Sequence, residues 1–111
     1  MSNTIEILSA DATELLKKLI ATPSFSKEED KTAELIFTFL LQRNITGKRL
    51  MNNVYAFNKY FDRSRPSVLL NSHHDTVKPN KGYTLNPFEA IEKDNKLFGL
   101  GSNDAGGALV S

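Results

Sequence analysis

The sequence predicts an α/β fold. Two stretches with apolar residues at helical spacing come first, and short apolar or β-branched runs separated by Asn, Asp and Gly turns follow. A third observation, an uninterrupted Val68-Leu69-Leu70 run, is what a buried strand of an α/β sheet requires.

The first helix is expected from an Asp11 cap to about Ala21, with Ala12, Leu15, Leu16, Leu19 and Ile20 on one stripe. Pro23 closes it. Ser26-Lys27-Glu28-Glu29 fits a capping box, with Ser26 accepting an amide and Glu29 reaching back. The helix it opens should bury Ala33, Ile36, Phe37 and Leu40 and end near Arg43-Asn44. Strands are expected at Gly47–Met51 and Val54–Asn58 around an Asn52-Asn53 turn, and at Ala90–Glu92 and Lys96–Phe98 around Asp94-Asn95. Between them, Asp62 to Pro66 reads as a polar loop leading into a buried strand, Ser67-Val68-Leu69-Leu70-Asn71.

At 111 residues and 40% hydrophobic composition the chain is one globular domain or a piece of one. Fourteen basic residues stand against 13 acidic, for a net charge of +1, with no run of one sign. That balance argues against nucleic acid or an anionic membrane as partner. With no cysteine there is no disulfide and no thiolate metal site, which leaves histidine and carboxylate as ligands. Met1-Ser2-Asn3-Thr4-Ile5-Glu6 lacks a basic segment followed by an apolar run, so no secretory signal is expected. The apolar stretch around Leu35 to Leu41 is too short to span a bilayer. A cytoplasmic location is the expectation.

Chemistry concentrates in two motifs. Ser72-His73-His74-Asp75-Thr76-Val77 follows the apolar run, and strand alternation would turn His73 and Asp75 to one side and His74 to the other. An imidazole beside a carboxylate is a metal ligand with its own orienting group. The second motif, Gly99-Leu100-Gly101-Ser102-Asn103-Asp104-Ala105-Gly106-Gly107, sets one carboxylate in a turn with little bulk around it. Either motif alone has a plainer reading, because histidines in strands are often structural and Gly, Asn and Asp are ordinary turn residues. Their order and spacing favour half of a metal-dependent hydrolase site.

These residues resemble the amino-terminal part of the zinc amidohydrolases that include acetylornithine deacetylase, succinyl-diaminopimelate desuccinylase and aminoacylase. The likeness runs through Leu15 to Ser26, the opening helix and its Pro23-Ser24 turn, and through the His73 motif as the first metal motif. It continues in Asn86-Pro87-Phe88 and Lys96 to Asp104, the approach to the second. Two positions depart from the family pattern: Leu100 replaces a usual arginine and Gly106 a usual lysine. Asn103-Asp104-Ala105-Gly106-Gly107 also echoes the related zinc aminopeptidases.

The resemblance implies a partial three-layer α/β/α zinc-peptidase-like catalytic domain with a mixed sheet, truncated, with residues 1–111 its amino-terminal part and the lid domain absent. It implies two zinc ions in the intact site, with cobalt as the alternative, and a substrate that is an N-acyl amino acid or small peptide. His73 would bind one zinc, Asp104 would bridge both, and Asp75 would act beside them by fixing the His73 ring. The family's general base and its remaining ligands would lie beyond Gly107-Ala108-Leu109-Val110-Ser111, which looks like a helix cut short. This implies no appreciable hydrolase activity from the chain alone, and a homodimer only through the absent domain. The alternatives are a zinc aminopeptidase or dipeptidase, and a non-catalytic remnant.

His74 reads as a substrate-side or packing residue. The seven phenylalanines read as core or half-buried rather than a stacking platform, because no basic stripe accompanies them. Asp11, Glu28, Glu29 and Asp30 read as a solvated helix start, not as ligands. Three geometric expectations follow. An Asp75 carboxylate oxygen should lie within hydrogen-bond reach of a His73 ring nitrogen. His73 and Asp104 should lie roughly 4–7 Å apart in one cleft at the carboxyl edge of the sheet, and a separation beyond about 12 Å would exclude a shared site. Zinc binding should be about micromolar or weaker, be lost in His73→Ala and survive in His74→Ala.

Overall fold

A computed structural model describes residues 2–111. Met1, the start of the segment read for a leader, lies outside them. Helix α1 runs from Ser2 to Ala21 and α2 from Asp30 to Gln42. Strands β1 (Lys48–Leu50) and β2 (Asn53–Tyr55) form one antiparallel ladder, and β3 (Ile91–Lys93) and β4 (Lys96–Phe98) another. The chain then passes through an irregular turn, Ser102–Gly106, into a last helical turn, α3 (Gly107–Val110).

Helix α1 organises the core. Leu15, Leu16 and Ile20 on its predicted stripe are buried, together with Ala33 of α2 and Leu100. One flank of α1 meets α2, and another meets the Ser102–Gly106 turn and α3. The helix begins earlier than expected, so Asp11 is an interior residue rather than a cap; it pairs with Arg43 at 2.9 Å, tying α1 to the end of α2. Ile5, Ile7 and Leu8 in its first half remain exposed.

Helix α2 ends close to expectation but begins at Asp30, later than a Ser26 cap would place it, and the capping box does not form. Glu29 occupies the cap without a side-chain hydrogen bond, and Ser26 turns away to another partner described below. Ala33 is fully buried, whereas Ile36, Phe37 and Leu40 are half-buried.

The first hairpin turns at Met51-Asn52, one residue earlier than expected, as the Leu50–Asn53 pairing shows. Arg49 braces it by donating to Glu34 of α2 at 2.7 Å. The second hairpin turns at Asp94-Asn95 as expected. Both residues take positive φ (52° and 58°), the geometry a two-residue antiparallel turn demands and one that Asp and Asn tolerate.

The principal correction concerns Ser67–Asn71. This segment joins neither ladder, and Val68, Leu69 and Leu70 are 89%, 85% and 91% exposed. A strand is buried only when neighbours pair with both its edges and elements cover both its faces, and no described residue does so. The described residues accordingly hold two separate two-stranded ladders, not one mixed sheet. The architecture is α/β with three helices and two small antiparallel sheets. Phe57 and Phe61 also depart from a core role: they stack at 4.3 Å between centroids on the surface. No described helix is long and apolar enough to cross a membrane.

Gly99 sits where β4 returns to α1. A Cβ there would lie 2.4 Å from Ile20 Cγ2, and the residue's φ of 156° is one that side chains rarely adopt. Gly99→Ala should therefore lower unfolding stability by about 1–3 kcal/mol through steric crowding of the core. Urea unfolding monitored by circular dichroism measures this, and a loss under about 0.5 kcal/mol would contradict the packing described.

Candidate metal centre

A short parallel contact creates the site. Thr76 N–H donates to Ser24 O at 2.7 Å, and Phe25 and Thr76 form a single parallel bridge. The buried Ser24 hydroxyl donates to the His74 carbonyl at 2.8 Å. Chain between the two long helices thereby lies against the His73 motif, and the turn that looked like a helix cap is the motif's support. The missing capping box follows directly. Ser26 Oγ, free of the helix, donates to Asp75 Oδ2 at 2.6 Å.

Asp75 in turn holds His73. Nδ1 of the ring donates to the Asp75 carbonyl at 3.1 Å and lies 3.3 Å from carboxylate Oδ1. The Asp75 carboxylate lies within reach of the ring as expected, but the hydrogen bond itself goes to the Asp75 backbone oxygen. His73 Nε2 faces Asp104 Oδ1 at 3.0 Å, bringing together residues 31 positions apart. This is a direct hydrogen bond, closer than the 4–7 Å expected of two ligands to one site, because an imidazole N–H and a carboxylate attract each other without an intermediary. The expected carboxyl edge of a sheet is not there, since Ser67–Asn71 is unpaired. The two side chains instead line an open cleft of about 600 Å³, with Ser26, Asp75, Tyr83 and the Gly99–Asp104 segment.

The electrostatics follow from these contacts. The Asp75 carbonyl bonded to Nδ1 raises the His73 pKa, solvent exclusion opposes it, and Asp104 adds to the rise. The Ser26 hydroxyl holds the Asp75 carboxyl below its ordinary range. His74 faces inward, as alternation predicts, with its ring 2.8 Å from Thr32 Oγ1 and 2.9 Å from the Asn52 carbonyl.

The second motif is shaped by close packing. Gly101 takes φ 79° and a Cβ there would lie 2.6 Å from Thr76 Cγ2, so glycine lets the Asp104 turn sit against the His73 motif. Leu100 N–H donates to Pro87 O at 2.7 Å, which ties in the Asn86-Pro87-Phe88 loop.

No family model matches the chain. Curated relatives do. An acetylornithine deacetylase of Klebsiella pneumoniae is 34% identical over 85% of this chain, and a probable carboxypeptidase of Emericella nidulans is 32% identical over 87%. A succinyl-diaminopimelate desuccinylase of Nitratiruptor is 27% identical over 82%. These similarities are consistent with a fragment of that deacylase and peptidase family. It spans about a quarter of the length of these relatives, 28%, 24% and 25% respectively.

Within the family frame, the two departures noted in the sequence have structural reasons. Leu100 is buried in the core, where an arginine would need a charge partner. At Gly106 a Cβ would lie 2.6 Å from Leu16 Cδ1 and 2.7 Å from the Gly101 carbonyl, so a lysine has no room.

The donor types at His73 and Asp104 suit a family metal: one imidazole nitrogen and one carboxylate face the cleft, with Asp75 behind the ring. No group of three or more His, Cys, Asp or Glu residues placed to hold a metal ion occurs among the described residues. Sequence reasoning missed Ser26, Thr32 and Asn52 as supports. Their partners lie 49, 42 and 22 positions away, and no local pattern signals them.

Ser26→Ala should raise the Asp75 pKa toward 3.8. A depressed folded-state pKa contributes stability that is complete above the unfolded value and lost as pH falls through the folded one. The stability gap between parent and variant should thus be full above pH 3.8 and close at lower pH. Carboxyl-detected NMR titration and acid unfolding measure both effects, and a gap independent of pH would refute the contact. For His73 the sign is opposite: its raised pKa contributes below pH 6.5, and the contribution is lost as pH rises through the folded value.

Proposed function

We propose that the chain carries part of the metal centre of a zinc-dependent amidohydrolase that removes the acyl group from an N-acyl amino acid, as its acetylornithine deacetylase and desuccinylase relatives are named for doing. The observation that carries the reading is the meeting of His73 Nε2 with Asp104 Oδ1 at 3.0 Å, with Asp75 against the other ring nitrogen. A peptide substrate is the second reading, favoured by the carboxypeptidase-named relative at 32% identity. The zinc-peptidase-like three-layer domain, the cytoplasmic setting and a homodimer formed through other parts of the protein belong to the same proposal.

His73 Nε2 and Asp104 would hold the metal, zinc or alternatively cobalt. Bound metal would supply Lewis acidity and a lowered pKa for water. The chain's own residues do the preparatory work. With Nδ1–H held by the Asp75 carbonyl, a neutral His73 ring presents its Nε2 lone pair to the cleft, the tautomer a ligand needs. Asp75, anchored by Ser26, limits rotation of that ring. Asp104 accepts a hydrogen bond when His73 is protonated and offers the same oxygen as a ligand when it is not. Proton and metal therefore compete for one position. With two such ligands against the three usual for a catalytic zinc, the chain alone is expected to bind weakly and not to hydrolyse.

Calorimetric titration with zinc at pH 6 and pH 8 tests this. Binding of about micromolar strength or weaker is expected at pH 8, reduced at pH 6 because the His73 pKa is raised and the ring must lose its proton. His73→Ala and Asp104→Asn should each abolish it. Binding that persists in both variants, or none in the parent, would defeat the proposal and favour a non-catalytic remnant.

A further inference from the structure

His74 lies beside the proposed ligand but takes no part in the cleft. Its ring points into the protein and joins two elements, and its backbone a third. Nε2 lies 2.9 Å from the Asn52 carbonyl in the β1–β2 turn, and Nδ1 lies 2.8 Å from Thr32 Oγ1 in the first turn of α2. Its own carbonyl accepts from Ser24, on the segment between α1 and α2.

The donor inventory of these contacts places a hydrogen on Nε2. A carbonyl only accepts, so His74 Nε2 must carry hydrogen. Thr32 has a single hydroxyl proton and two partners in range, the His74 nitrogen at 2.8 Å and the Glu29 carbonyl at 3.1 Å. Nδ1 and the Thr32 hydroxyl make the second hydrogen bond, whichever of the two supplies the proton. Thr32 is fully buried, so this hydroxyl has no water to turn to.

We infer that His74, held by Thr32 at Nδ1 and by the Asn52 carbonyl at Nε2, is a positioning residue that fixes the neighbouring His73–Asp75 pair in the cleft. The mechanism is leverage through one peptide unit. Adjacent side chains in extended backbone point oppositely, so anchoring the His74 ring on the inner side sets the direction of His73 and Asp75 on the outer side. Among the described residues, nothing else from α2 or the first hairpin fixes this stretch by a side-chain hydrogen bond; the remaining ties come from Ser24 and Ser26 on the α1–α2 connection and from Asp104. The expectation that His74→Ala leaves metal binding nearly unchanged therefore reverses, although the reason behind it, that the ring points away from the cleft, holds. This deepens the metal-centre proposal and rests on it only for the zinc measurement below.

The test uses the 111-residue chain with three variants: His74→Ala, His74→Gln and Thr32→Val. Long-range ¹⁵N–¹H NMR of the histidine rings, without metal, should show a hydrogen on His74 Nε2 in the parent. His74→Ala should displace the amide and ring resonances of His73, Asp75 and Thr76 and weaken zinc binding about tenfold or more, the size expected when a support behind a ligand is lost. His74→Gln, whose amide nitrogen can reach where Nε2 stood, should restore zinc affinity to within about threefold of the parent, a rescue that bulk packing would not produce. Should His74→Ala fail to fold, Thr32→Val removes only the Nδ1 partner at nearly constant volume, and the same resonances must then move. A His74 Nε2 without hydrogen in the parent overturns the inference. So do unchanged resonances of residues 73–76 in Thr32→Val or in folded His74→Ala. A parent that binds no zinc would defeat the metal reading while the metal-free spectra still decide the role of His74.

Discussion

The chain's second half is registered against its first by one short parallel contact, Ser24–Ser26 beside His74–Thr76. A backbone bond from Thr76 to Ser24, the Ser24 hydroxyl on the His74 carbonyl and the Ser26 hydroxyl on Asp75 all act within three residues of each segment. Each net hydrogen bond is worth only about 1 kcal/mol. Their effect is large because they act at a loop that α1 and α2 hold from both ends. The connection between the helices cannot move without moving the helices, so it serves as a rigid bed for the His73 motif.

From that bed the polar groups separate by side. His73 and Asp75 face a cleft open to solvent, while His74 faces the buried Thr32 hydroxyl. The same residue type thus performs two tasks at adjacent positions, and environment assigns them. A carbonyl and two carboxylate groups surround the His73 ring and favour its charged form. A hydroxyl and a carbonyl meet the His74 ring and hold it inward. Packing completes the arrangement: Gly99 admits Ile20, Gly101 admits Thr76 and Gly106 admits Leu16, so three glycines let the Asp104 turn reach His73 across the core.

The exposed Val68-Leu69-Leu70 run stands apart from this order. Its composition suits a strand covered on both faces, and its lack of pairing leaves a row of free backbone donors and acceptors beside apolar side chains. The first helical turns present a comparable surface through Ile5, Ile7 and Leu8.

Much of the molecule was legible locally. The α1 stripe, the end of α2, both hairpins and the Asp94-Asn95 turn follow from periodicity and turn chemistry, because helices and two-residue hairpins are stabilised by neighbours in sequence. The pairing of His73 with Asp75, and the inward turn of His74, follow from alternation of an extended chain. Long-range competition was not legible. Ser26 has the sequence of a cap but finds a carboxylate 49 positions away, and Asp11 has the look of a cap but lies within a helix that starts earlier. The Ser67–Asn71 run has the composition of a strand, yet strandhood is a property of a pair and one partner is never enough to define it from sequence. By itself the sequence determined which residues carry the chemistry and which local shapes they prefer. Only the tertiary structure decided which side chains meet, because a hydroxyl, an imidazole or a carboxylate takes whichever partner the packed helices bring within 3 Å or so.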